Sequence, residues 1–163
     1  MAADPPTGVF AARSDFLDRW IQVGVVSGNV INVAFPTSRP TEAEVEAKAG
    51  HPVLERLLAY LDEGTRDDFA DVEIALTGPT AYRPVYDAVR TIPYGSETTT
   101  VELASTIAQL APEDDPEHVV TNALRANPVP VLVPDHRVTD GPGGLDPDIR
   151  DRLRTREGLA TTD

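Results

Sequence analysis

The chain contains no cysteine, which excludes a disulfide framework and every reaction that needs a thiolate. Lysine is nearly absent too. Lys48 is the single lysine among 14 basic residues. No apolar run approaches the roughly 18 residues of a membrane span, and Met1-Ala2-Ala3-Asp4-Pro5-Pro6 offers neither a basic nor an apolar signal region. A cytoplasmic address with no membrane partner is the expectation. The histidines are His51, His118 and His136; His51 has no second histidine and no carboxylate at metal-ligand spacing to support a metal site, and no metal and no cofactor is expected. His51, just ahead of Pro52, reads as a capping or surface group.

What the chain has in excess is acid. Its 27 Asp and Glu residues give a net charge of −13 and a pI near 4.5. Such a charge ordinarily argues against a polyanion partner, because nucleic-acid binding draws most of its affinity from cations that displace counterions. The acids are nevertheless spread along the chain, and arginine replaces lysine almost throughout. That pattern reads as the surface of a halophilic protein from a salt-rich cytosol. At about 1 M salt the Debye length is roughly 3 Å, so net charge would neither repel DNA nor attract it, and local contacts would decide. The apolar fraction of 40% over 163 residues supports one ordinary domain or two small ones.

The start reads as a loose segment to about Ser14. Ile21 to Val26 and Val30 to Phe35, joined through Ser27-Gly28-Asn29, form a hairpin signal: β-branched flanks around a connection that tolerates positive φ. Thr41 and Glu44 form a capping box for a short helix to about Ala49. Val53, Leu54, Leu57, Leu58 and Leu61 recur at helical spacing until Gly64, and Val72, Ile74 and Leu76 alternate as a third strand. After Thr77-Gly78-Pro79 the pattern turns helical, which places a domain boundary between residues 76 and 77. Val85, Ala88, Val89 and Ile92 mark one helix, with Pro84 in its first turn and Pro93 closing it. Thr99 and Glu102 cap a second, which buries Leu103, Ile107 and Leu110. Asp115-Pro116 opens a third that ends at Asn127-Pro128. The expected fold is an α/β unit of hairpin, helices and third strand over 1–76, followed by a mostly α domain over 77–163. Its paired helices have the spacing of a helix-turn-helix. On the third helix Val119, Val120, Ala123 and Leu124 face the core, which leaves His118, Thr121, Asn122 and Arg125 on the outer face. That face is either a DNA contact or an ordinary solvated surface.

Asn127-Pro128-Val129-Pro130-Val131-Leu132-Val133-Pro134-Asp135-His136-Arg137-Val138 carries the chemistry. Pro128 and Pro130 exclude a helix interior, so the run reads as a buried strand that delivers an acid, a base and a guanidinium to a loop.

This stretch resembles the N-P-x-P-x-x-x-P-C-H-R-V signature of the methylated-DNA–protein-cysteine methyltransferases, with Asp135 in the place of the cysteine. The resemblance covers nearly the whole chain. Val85 to Gly95 is similar to that family's V-W-x-A-L-x-x-I-P-Y-G, Glu102-Leu103-Ala104 to its E-L-A, and Ala123 to Pro130 to its A-M-R-x-N-P-V-P. The first half is similar to its variable N-terminal α/β domain. The resemblance implies a winged helix-turn-helix that enters the minor groove and flips an alkylated guanine out of the stack, where its reacting atom becomes reachable. It also implies a histidine, His136, held by Glu157, with Asn127 retained beside them; Arg137 and Pro134 read as structural residues of the site. Other positions depart from the family. Thr100 stands for the tyrosine that works on the target phosphate, Val101 for its glycine, and His118 for the arginine finger. Thr121 and Asn122 stand for small residues, and the lid loop is shortened to Asp140-Gly141-Pro142-Gly143-Gly144-Leu145.

A carboxylate is a far poorer nucleophile than a thiolate towards saturated carbon, and an ionised one leaves His136 nothing to activate. Three function classes follow. One is a protein that binds alkylated or damaged duplex DNA without transferring the alkyl group and recruits a repair partner. The second is the same fold kept as an interaction module with DNA binding lost. The third is an enzyme of altered chemistry built on Asp135 and His136.

Overall fold

The computed structural model describes residues 8–38, 45–46, 52–75, 78–110 and 115–159. The chain divides into two compact units, Met1–Leu76 and Thr77–Asp163. Among the described residues no helix is long and apolar enough to cross a membrane.

The first unit is a four-stranded sheet in the order β3-β2-β1-β4, with β1 at Gly8–Ser14, β2 at Arg19–Val26, β3 at Asn29–Ala34 and β4 at Val45–Glu46. The first three strands are antiparallel and β4 runs parallel to β1. The expected hairpin is β2-β3. Val26 pairs with Asn29 across Ser27 (φ 50) and Gly28 (φ 82), the two positive angles of a turn that matches strand twist. Helix α1 (Pro52–Leu58) buries Val53, Leu54 and Leu57, continues as a wide turn over Ala59–Glu63, and stops at Gly64 (φ 74).

Three expectations for the first unit are corrected. Of the segment read as loose to Ser14, the residues before Gly8 lie outside the described residues, and Gly8–Ser14 is strand β1. Its consecutive buried Phe10, Ala11 and Ala12 conceal the alternation that marks a half-exposed strand, because this strand lies between β2 and β4. Within the helix expected from Thr41 to Ala49, Val45–Glu46 pairs with Phe10 and Ala11 as β4, and the rest of that segment lies outside the described residues. The third strand reduces to a single bridge between Ile74 and Val30; Leu76 lies outside the described residues.

The second unit is helical. Helices α2 (Arg83–Arg90), α3 (Thr100–Leu110) and α4 (Pro116–Arg125) pack on one another, and α5 (Pro147–Arg156) closes the unit. Val85, Val89, Ile107, Val120, Ala123 and Leu124 are fully buried at their centre. The Tyr86 hydroxyl donates to the Ala123 carbonyl at 2.8 Å and pins α2 to α4, and burial pushes this phenol up to about 12. Asp115 caps α4 by accepting from the His118 amide at 3.1 Å. The capping box at α3 is only half formed. Thr99 Oγ1 accepts from the Glu102 amide at 3.2 Å, while the Glu102 carboxylate takes the Thr98 hydroxyl at 2.6 Å.

The apolar run Val129 to Val133 is buried but is not a strand. It turns back on itself, with the Val133 amide donating to the Val129 carbonyl at 2.9 Å and Val131 at φ 78. The prolines that exclude a helix also remove ladder donors, so the run closes a tight loop. A β-branched residue at positive φ is strained, and the buried packing around Val131 holds it there.

Candidate functional site

The tight loop ends at Pro134, whose carbonyl accepts from the Arg137 amide at 3.0 Å and starts a single 3-10 turn over Asp135–Arg137. That turn places Asp135, His136 and Arg137 side by side, all buried. Asn127 anchors it from the end of α4: its Nδ2 donates to the Val133 carbonyl at 3.0 Å and to Asp135 Oδ2 at 2.9 Å, while its Oδ1 accepts from the Val129 amide at 3.0 Å.

Glu157, the C-terminal cap of α5, is the second anchor. Arg137 grips it through two parallel bonds, Nε to Oε1 at 2.8 Å and Nη2 to Oε2 at 2.9 Å. His136 Nε2 lies 2.7 Å from Oε2. A carboxylate already paired with a guanidinium is an acceptor, so His136 donates through Nε2. The Gly95 amide adds a bond to Oε1 at 3.1 Å, and Arg137 Nη1 reaches the Ile92 carbonyl at 2.7 Å. The Tyr94 ring lies 5.8 Å from the Arg137 guanidinium carbon. His136, Arg137, Glu157 and Asn127, separated by up to 30 positions in sequence, thus meet around one turn.

Asp135 sits differently. Oδ2 accepts from Asn127 and, at 2.8 Å, from the Gly144 amide; Oδ1 is buried with no partner among the described residues. Burial pushes its carboxyl above the usual range, against the pull of the Gly144 and Asn127 bonds and the charges of His136 and Arg150. The loop over it is closely packed. A Cβ on Gly143 would stand 3.0 Å from both Asp135 oxygens, and one on Gly144 would stand 2.6 Å from the Asn127 carbonyl oxygen. Asp140 holds the near end of the loop, accepting from the Thr100 amide at 2.8 Å and its hydroxyl at 3.0 Å, and these bonds hold its carboxyl below the usual range.

Thr100 is therefore engaged with the loop and does not stand with the outer residues of α4. Those four do share a face. His118 and Arg125 are exposed, Thr121 and Asn122 are half-buried, and Asn122 Nδ2 lies 3.0 Å from His118 Nε2. Val119, expected in the core, is half-buried. Two residues escaped the sequence reading. Buried Arg154 donates to the His136 carbonyl at 2.7 Å and to Glu97 at 2.5 Å, and Arg150 donates to the carbonyls of Val138 and Thr139, each at 2.9 Å. Their four-residue spacing on α5 was the available signal. Among the described residues no group of His, Asp or Glu could hold a metal ion.

Residues 80–161 match the family model described as 6-O-methylguanine DNA methyltransferase, DNA binding domain. A relative from Thermus thermophilus named as a DNA base-flipping protein is 35% identical over 111 residues, which are 68% of this chain and 71% of that protein. A probable methylated-DNA–protein-cysteine methyltransferase from Acanthamoeba polyphaga mimivirus is 30% identical over 95 residues, 56% of this chain and 60% of the relative. The fold is similar to the crystal structure of a variant of the Mycobacterium tuberculosis O6-methylguanine methyltransferase, with a TM-score of 0.70 at 25% identity over 96% of each chain.

Proposed function

The chain belongs to the 6-O-methylguanine DNA methyltransferase family, and from that premise we propose that it is a cysteine-less, alkyltransferase-like protein of DNA repair. It binds duplex DNA and recognises an alkylated or damaged base without accepting the alkyl group. The observation that carries this reading is the state of the site. The position that supplies the acceptor thiol in the resembling signature holds buried Asp135, while Asn127, His136, Arg137 and Glu157 around it are joined by hydrogen bonds. A frame kept without its nucleophile serves binding. His136 donates its Nε2 hydrogen to Glu157, and beside it stands no thiol from which to take a proton.

In this reading residues 77–163 form the winged helix-turn-helix domain, α3 and α4 are its paired helices, and His118, Thr121, Asn122 and Arg125 face the duplex. The relative named as a DNA base-flipping protein supports the DNA-binding part of this reading. Flipping brings the base to the pocket, and recruitment of a repair partner completes the function in a cytosol rich enough in salt to suppress the acidic field.

Two measurements test it together. Intact mass after incubation with duplex carrying O6-methylguanine is expected to stay unchanged; a gain of one methylene on the peptide containing Asp135 would establish transfer and overturn the reading. Anisotropy titration across a salt series is expected to show saturable duplex binding. Its absence wherever the protein stays folded would leave the fold as an interaction module.

A further inference from the structure

Asp135 carries a buried oxygen that nothing in the closed site satisfies. Oδ2 takes two N–H donors and Oδ1 takes none. A carboxylate kept only to brace the turn would have both oxygens bonded, because an unmet buried acceptor is costly. What covers Oδ1 is a short cap, Gly141-Pro142-Gly143-Gly144, whose Gly143 backbone rests directly on the carboxylate. Among the described residues the cap makes one hydrogen bond to Asp135, from the amide of Gly144, at 2.8 Å. With that bond released and the cap displaced, both carboxylate oxygens would form the floor of the pocket so opened, while Asn127, Arg137 and Glu157 keep their bonds to the turn.

This inference rests on the reading that the chain binds DNA and takes a base out of the stack. We infer that Asp135 is the specificity-determining residue of that pocket and selects a nucleobase bearing an exocyclic amine, a 4-aminopyrimidine or a 6-aminopurine, over an O6-alkylated guanine. The amines of cytosine and adenine are donors at the edge where guanine presents an acceptor oxygen. An amine entering the pocket replaces the Gly144 N–H and supplies the donor that Oδ1 lacks. An O6-alkylguanine would set an ether oxygen against a carboxylate, acceptor to acceptor. Donors around the charged form also offset the burial that pushes this carboxyl up.

The test uses four duplexes, each with one target nucleotide opposite an abasic site so that none has a pairing partner to lose: cytosine, adenine, thymine and O6-methylguanine. Anisotropy at fixed salt is expected to show the cytosine or adenine duplex bound about tenfold or more tighter than the other two, the ratio expected of one charge-assisted hydrogen bond. Asp135→Asn, which turns one acceptor into a donor, is expected to bring that ratio to within about twofold, a residual set by pocket shape. Melting curves confirm that the variant is folded, and Asp135→Ala serves if the amide is not tolerated. Equal binding of all four duplexes, preference for thymine or O6-methylguanine, or an unchanged ratio in the folded variant overturns the inference while leaving DNA binding intact. No binding to any of them, or to fully paired duplex, overturns the parent reading as well.

Discussion

Glu157 and Asp135 are carboxylates buried in the same site, and the structure treats them in opposite ways. Glu157 accepts at least four hydrogen bonds, two of them from the Arg137 guanidinium, with both oxygens engaged. Asp135 receives two neutral N–H groups on one oxygen and none on the other. Depth does not separate them, since their exposures are 7% and 1%. Partners do. A buried charge with a bidentate cation fixes geometry, whereas one left half-satisfied stores a demand that a ligand can meet. The Glu157 side of the site is therefore a brace and the Asp135 side a receptor.

The largest expected effect comes from breaking the brace. Arg137→Ala leaves Glu157 buried without its cation, and removing one partner of such a pair costs about 3–5 kcal/mol. The denaturation midpoint in urea should fall accordingly. A loss below about 1 kcal/mol, the range of surface pairs, would mean that the two carboxylates are not distinct in kind.

Asp135 should respond with the opposite sign. Its folded carboxyl is raised above the ordinary carboxylate value, so the folded state binds the extra proton. Its favourable contribution is complete below the unfolded value and is lost as pH rises through the folded one. At pH above the raised folded value, Asp135→Asn should therefore raise stability, by about 1–3 kcal/mol if the unmet acceptor accounts for it. The gain should disappear under acid conditions. Asp140 and Glu97 run the other way: held below the usual range by Thr100 and by Arg154, they lose their contribution as pH falls. Both are exposed, so this opposing slope should be shallow. Melting curves of wild type and Asp135→Asn across pH would show the two profiles converging. Parallel profiles would mean that Asp135 does not titrate with folding.

The brace was legible in the sequence, and so was Asp135 as a site residue; what covers Asp135 was not. Asn127, His136, Arg137 and Glu157 came from a resemblance dense enough to place them, and their hydrogen-bond reach in the fold follows from that placement. The covering of Asp135 depends on a backbone amide, Gly144, and on the missing side chain of Gly143, which no residue pattern announces. Strand β1 was missed for a related reason. Alternation marks a strand with one wet face, and Phe10 to Ala12 has none. The helices of the second unit were legible because their caps and apolar spacing are local, whereas Val131 and its tight loop are imposed by packing.

The smallest stability effect should belong to Arg125, which makes it the control for the comparison. It ends α4, it is exposed, and it is the only Lys or Arg on that helix. Removing the same side chain type as in Arg137→Ala should leave the melting temperature nearly unchanged, since surface substitutions stay within about 0.5 kcal/mol. Its effect belongs to binding. Without its one ion pair to a phosphate, the magnitude of the logarithmic salt slope should drop by about 1 and all duplexes should bind more weakly alike, with no change in base preference. Anisotropy over a salt series, read beside the melting curve of each variant, separates the two arginines. If Arg125→Ala leaves the slope unchanged while wild type binds, the outer face of α4 is a solvated surface and the duplex lies elsewhere on the second unit.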